Sequence, residues 1–193
     1  AANQNGSSAQ ANLGIIYYDG KYIKRDINKA IHYFTLAADQ NNSDAQCKLG
    51  VIYYEGKYIK QDIDKAIHYF TLAADQNDSD AQTNLGNIYY KCKCIKQDID
   101  KAIHYFTLAA DQNDSDAQTY LGFIYYEGKY ITRNINKAIH YFTLAANQNN
   151  SDAQTNLGNI YYQGKYIKQD INKAIHYLTL AANKNHPITQ TLL

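Results

Sequence analysis

A unit of 36 residues recurs from Ser7 onward, restarting at Ser43, Ser79, Ser115 and Ser151, so the 193-residue chain consists of five near-copies of one segment. A fixed period of this size marks a solenoid, in which each repeat buries its apolar face only against its neighbours. Such a chain has no single central core and presents an extended surface. The array divides into repeats 7–42, 43–78, 79–114, 115–150 and 151–186. Residues 1–6 read as the end of a preceding repeat and 187–193 as the start of a sixth, the whole forming one continuous solenoid domain. With both ends cutting through the unit and no initiator Met, the chain reads as a fragment of a longer array, with any targeting signal outside it.

Within a unit, the helical signals come twice. Ser115, Asp116, Ala117 and Gln118 have the S-x-x-Q form of a capping box, with Asp116 favourably placed on the helix dipole. Ala117, Leu121, Ile124 and Tyr125 follow at helical spacing, and Gly128 ends the helix as a left-handed cap. Gly122 lies inside this helix, where glycine costs about 1 kcal/mol relative to alanine. A second helix approaching too closely for a side chain would account for it. Ile131 should tuck beneath the loop that follows. Asn134, or Asp26, Asp62, Asp98 and Asp170 in the other repeats, caps the second helix. Its apolar face is Ile135, Ala138, Tyr141, Phe142, Ala145 and Ala146, and Asn149 supplies the positive φ after it. The expected fold is all-α, with two antiparallel helices per unit stacked in order.

The spacing A-x3-L-G-x2-Y-x2-G followed by D-x2-K-A-x2-aromatic-x3-A-A resembles the Sel1-like repeat, itself related to the tetratricopeptide repeat. The second unit carries it on Ala45, Leu49, Gly50, Tyr53, Gly56, Asp62, Lys65, Ala66, Tyr69, Ala73 and Ala74. The chain departs from the family pattern at the second loop glycine (Tyr22, Tyr58, Tyr130, Tyr166, or Cys94), at the Trp position (Tyr69 and its equivalents) and at the closing Gly, here Asn. The resemblance implies an α-solenoid wound as a right-handed superhelix. It also implies a non-enzymatic adaptor or scaffold, with the first helix of each pair lining the concave surface.

Laying the units over one another separates positions held constant from those that vary. The fifth, sixth, ninth and thirteenth positions vary most, and the fifth, ninth and thirteenth share one face of the first helix. That face is expected opposite the apolar stripe. The twelfth position adds a constant tyrosine ladder at its edge. Candidate partner-binding residues are therefore Lys48, Val51, Tyr54, Asn84, Asn87, Tyr90, Tyr120, Phe123, Tyr126, Asn159 and Tyr162. Tyr120, Phe123 and Tyr126 form the expected hot spot, since aromatic anchors dominate binding energies. The expected ligand is a protein or peptide. The alternative is a structural array that self-assembles, its basic loop edge meeting the acidic turn edge of a neighbour, without a groove ligand.

Other functions find little support. A net charge of +1 lacks the basic excess of nucleic-acid domains, and no apolar run approaches the length of a membrane span. Cys47, Cys92 and Cys94 are odd in number and recur at no common repeat position, and Cys47 is too far from Cys92 and Cys94 to pair with them, which favours a reducing, intracellular and cytoplasmic setting. The string Lys91, Cys92, Lys93, Cys94 could lower a thiol pKa, but a lone C-x-C reads as drift. His32, His68, His104, His140 and His176 form a ladder whose rungs are about 10 Å apart, too far for shared ligation, so no metal or cofactor is expected. The catalytic signatures G-x-S-x-G, H-E-x-x-H and the P-loop do not occur, and the chain is expected not to be an enzyme.

Overall fold

The structure, a computed structural model, describes residues 2–91 and 96–183. Among these are ten α-helices and no strand. They are α1 (Ala2–Asp19), α2 (Ile27–Ala38), α3 (Ser43–Glu55), α4 (Ile63–Ala74), α5 (Ser79–Lys91), α6 (Ile99–Asp111), α7 (Ser115–Glu127), α8 (Ile135–Asn147), α9 (Ser151–Gln163) and α10 (Ile171–Asn183). Odd-numbered helices are the first of each pair and even-numbered ones the second. The 36-residue period is thus realised as helix hairpins. Residues 2–6 continue α1 as helix instead of forming the inter-repeat turn seen at 39–42.

The chain divides into two compact units, Ala1–Tyr105 and Phe106–Leu193, each with its own core. In the first, Ala30, Phe34, Ala37 and Ala38 of α2 meet Ala45, Leu49 and Ile52 of α3. One repeat further on, Ala66, Phe70, Ala73 and Ala74 meet Ala81, Leu85 and Ile88. In the second unit the same seam joins Ala138, Phe142, Ala145 and Ala146 to Ala153, Leu157 and Ile160. These three seams repeat one recipe: a phenylalanine and three alanines from a second helix against Ala, Leu and Ile from the next first helix. Full burial of each Phe, Leu or Ile contributes about 1.5–3 kcal/mol, and the alanines let the helix axes close on one another.

The mid-helix glycine has a specific partner. A Cβ built on Gly50 would lie 2.6 Å from the ring of Phe70, and Gly14 and Gly122 stand in the same relation to Phe34 and Phe142. The benzyl ring is seated on bare backbone, which is the close approach expected from the sequence. At the helix ends, Gly20, Gly56, Gly128 and Gly164 have φ near +60°, as do Asn41, Asn77, Asn113 and Asn149. Ile59 and Ile167 pack beneath their loops against the cores.

Capping of the second helices is as expected: Asp26, Asp62, Asp98, Asn134 and Asp170 each accept the amide N–H three residues on, at 3.0 Å. The first helices differ from expectation. Their caps are Asn42, Asp78, Asp114 and Asn150, one residue before the serine, each accepting from the alanine N–H at 2.7–3.1 Å. The glutamine of S-x-x-Q is therefore freed from the box. Gln46, Gln82, Gln118 and Gln154 are buried and donate to the carbonyls of Ala38, Ala74, Ala110 and Ala146 on the preceding helix. In the second and fourth repeats the same side chain accepts from Gln76 or Gln148 of its own repeat. A residue read as a local cap is thus a polar rivet across the seam, because a shorter side chain already satisfies the N-terminal amide.

Candidate functional site

The varying positions fall where successive first helices meet: α1 touches α3, α3 touches α5, and α7 touches α9. Position five is consequently buried, not opposite the stripe, at Ala11, Cys47, Thr83 and Thr119, and exposed at Thr155. Position nine is half-buried in the middle repeats. Val51 packs against the core around Phe70, and Phe123 meets Phe142 edge to face with ring centroids 5.5 Å apart. Tyr120 stacks on Phe106 at 4.8 Å. The aromatic pair singled out from the sequence therefore spends part of its surface on the core.

What remains open on this face is more polar. Lys48, Asn159 and Tyr162 are exposed, while Tyr54, Asn84, Asn87, Tyr90 and Tyr126 are half-buried. Asn84 folds back to donate to the carbonyl of Asp80 at 2.8 Å. The position-twelve tyrosines lean on the loop of the following repeat, Tyr18 edge-on to Tyr58 and Tyr126 edge-on to Tyr166. Burial raises the pKa of the Tyr18 hydroxyl, and Glu55 and Tyr58 add to it. In the first unit Lys48 and Val51 line a small hollow with Tyr18, Phe34 and Ile52, of about 70 Å³.

Beside it lies a larger hollow, about 260 Å³, walled by Ala11, Ile15, Phe34, Asp44, Ala45, Cys47, Lys48, Asp78 and Asp80. Its carboxylates were not among the candidate residues. The sequence did carry a signal for them: Asp78 stands where the first and fourth turns have Asn42 and Asn150. Asn150 donates to Asp116 at 3.0 Å across its seam. An ionised Asp78 cannot do this for Asp44, and its pKa is raised by burial and then by the like charges of Asp80 and Asp44. Burial, with help from Asp78 and Asp80, also pushes the Cys47 thiol up to about 12. Cys47 is thus a protonated packing residue, poorly suited to nucleophilic work. Cys92 and Cys94 lie outside the described residues.

The outer face is built from the second helices. His32, His68, His104, His140 and His176 are exposed there, each ring edge-on to the tyrosine that follows it. Each of those tyrosines stacks on a first-helix tyrosine, as in Tyr53 with Tyr69 at 5.8 Å, and a lysine ammonium covers the second ring, as Lys65 does Tyr53. Lys65 also pairs with the cap Asp62 at 3.7 Å. Both groups are largely exposed, and such pairs contribute about 0–1 kcal/mol. Among the described residues no group of three or more His, Cys, Asp or Glu could hold a metal ion, and no helix is long and apolar enough to cross a membrane.

Helix hairpins stacked at a constant period, with one face varying and the seams held constant, define an α-solenoid of the interaction-scaffold class. The chain belongs to the Sel1 repeat family, whose repeat matches residues 7–42, 43–78, 79–114, 115–150 and 151–186. A Sel1 repeat protein from Oxalobacter formigenes is similar at 34% identity and a TM-score of 0.85, over 95% of this chain and 75% of that one. The protective antigen c5321 of uropathogenic Escherichia coli strains, which displays an SLR fold, is 26% identical with a TM-score of 0.54, over 93% of this chain and 46% of that one. Cysteine rich protein B of Helicobacter pylori is 26% identical with a TM-score of 0.51, over 68% of this chain and 95% of that one. No curated protein matches the sequence. Sel1 repeat proteins are in general protein-interaction scaffolds, and the family is a non-catalytic one.

Proposed function

We propose that the chain is a non-enzymatic adaptor that holds a protein or peptide segment along the varying face of its first helices, the face taken to be concave. One observation carries this reading. Across five otherwise near-identical repeats, the variation gathers on the first-helix face that keeps Lys48, Asn159 and Tyr162 in solvent, while the seams stay constant. Neutral drift constrained only by packing would scatter equally over the exposed outer face, yet the histidine there is the same in every repeat. The open side chains favour a partner segment that offers amide and hydroxyl groups to the asparagines and an apolar residue to the tyrosine edge.

The test uses peptides selected for binding to the 193-residue chain, with affinities read by fluorescence anisotropy. Lys48→Glu in the first unit and Asn159→Arg with Tyr162→Ala in the second should each weaken the peptides that use that unit by about tenfold or more. His68→Ala and His140→Ala on the outer face should leave them unchanged. Tyr120 and Phe123 serve less well as probes, because truncating them also strips packing from Phe106 and Phe142. Peptides that bind the parent and the face variants alike, or that respond to the outer-face changes, would sink the reading.

A further inference from the structure

Charge is divided between the two ends of the helix hairpins. The loops within repeats, at 20–25, 56–61, 128–133 and 164–169, hold nine Lys or Arg residues and no carboxylate. The turns between repeats, at 39–44, 75–80, 111–116 and 147–152, hold nine aspartates and neither Lys nor Arg. Because the helices of a hairpin run antiparallel, the loops of each unit lie on one edge and its turns on the other. The loop edge is also aromatic. Where the family pattern has a second loop glycine, Tyr58, Tyr130 and Tyr166 stand in the loops, 39%, 42% and 37% exposed. Lys57, Lys129 and Lys165 lie over these rings, 5.1, 4.7 and 5.1 Å from their centroids. Arg25 and Arg133 of the preceding loops also lie over Tyr58 and Tyr166.

We propose that the loop edge docks on the surface of a membrane rich in anionic lipid. The lysines meet the headgroup charge, and the tyrosines enter the interfacial layer, where a ring with a polar tip is favoured. Lys57, Lys60, Lys165 and Lys168 pair with no carboxylate among the described residues, so docking breaks no ion pair there. Two other anionic partners fit less well. A single-stranded nucleic acid needs open ring faces on which its bases can stack, and cations lie over those of Tyr58 and Tyr166. The turn edge of a second copy would match the charge, but it offers the tyrosines only Asp, Gln, Asn and Ser. The lipid repels the acidic turn edge, so the contact has one orientation. It does not involve Lys48, Asn159 or Tyr162 and is independent of what the varying face binds.

Co-sedimentation of the 193-residue chain with vesicles tests this, one set made of phosphatidylcholine alone and one of phosphatidylcholine mixed with phosphatidylserine. The chain should pellet with the mixed vesicles and not with the neutral ones, and added salt should release it. Lys57→Gln with Lys60→Gln, or Lys165→Gln with Lys168→Gln, should each weaken partitioning by about tenfold or more. Tyr130→Ser with Tyr166→Ser should weaken it at unchanged charge, while Asp75→Asn with Asp111→Asn on the turn edge should not. All four variants should keep the parent's helical CD. The proposal is overturned by no binding to the mixed vesicles, by equal binding to the neutral ones, or by lysine or tyrosine variants that bind as the parent does. Losses from the turn-edge changes, or tighter binding to single-stranded DNA than to the mixed vesicles, would overturn it too.

Discussion

Gly50 shows how a single atom's absence organises a repeat. In an isolated helix, alanine is preferred over glycine by about 1 kcal/mol. Here the added methyl would sit 2.6 Å from the Phe70 ring, which is itself fully buried and cannot withdraw. Overpacking of this kind costs about 1–3 kcal/mol, so Gly50→Ala should lower stability despite its better propensity, as chemical denaturation would show. Gly158 faces Leu178 at the same distance, but Leu178 is partly exposed and can rotate away. Gly158→Ala should therefore be neutral or stabilising. Equal losses at the two sites would contradict the seating of the phenylalanine. The need for glycine was legible in the sequence; the identity of the ring above it was not, because several apolar residues of the second helix compete for that place.

At the level of elements, helix starts and stops were readable wherever one side chain acts on its own backbone. The caps at Asp26 and Asp62 and the positive φ of Gly128 and Asn149 followed from residue type alone. The reading failed where a side chain had two possible partners. Gln118 could serve its own helix or the neighbouring one, and only the tertiary contact with Ala110 decides. Position five failed for the same kind of reason: a helical wheel shows a face but not the next helix wedged against it. The α4–α5 turn gives an element-scale prediction. Asp78 has a raised pKa in the folded chain, so its protonated form is favoured there relative to the unfolded chain. Its contribution to stability is fully present below the ordinary carboxylate pKa and is lost as pH rises through the folded value. Asp78→Asn keeps the cap and can donate to Asp44 as Asn150 does to Asp116. The variant should gain about 1 kcal/mol at neutral pH, and the gain should shrink as the medium is acidified toward the carboxylate range. A gain that is constant with pH, or a loss, would refute this account of the turn.

For the molecule as a whole, stability should be a sum over repeats and seams instead of a property of one core. The period made this legible before any element was placed. What the sequence could not convey is that the chain divides into two compact units with the boundary at Tyr105/Phe106, since the repeats on either side are nearly the same. Phe70→Ala removes a fully buried ring at a cost of about 3–5 kcal/mol. The loss should stay local. Hydrogen exchange should show lowered protection in α3, α4 and α5, with α8, α9 and α10 close to the parent. Uniform loss across all ten helices would mean that the array unfolds as one body.

The sameness of the seams also bears on how such a gene can change. Because the second helices α2, α4, α6 and α8 offer the same Phe and Ala surface and the first helices the same Leu and Ile surface, removing or duplicating one 36-residue unit within the array joins surfaces that already fit. Replication slippage between near-identical coding segments therefore yields a foldable product at the first attempt. Array length becomes a trait that drifts or is selected in whole-repeat steps, while point mutation is left to alter what each repeat displays.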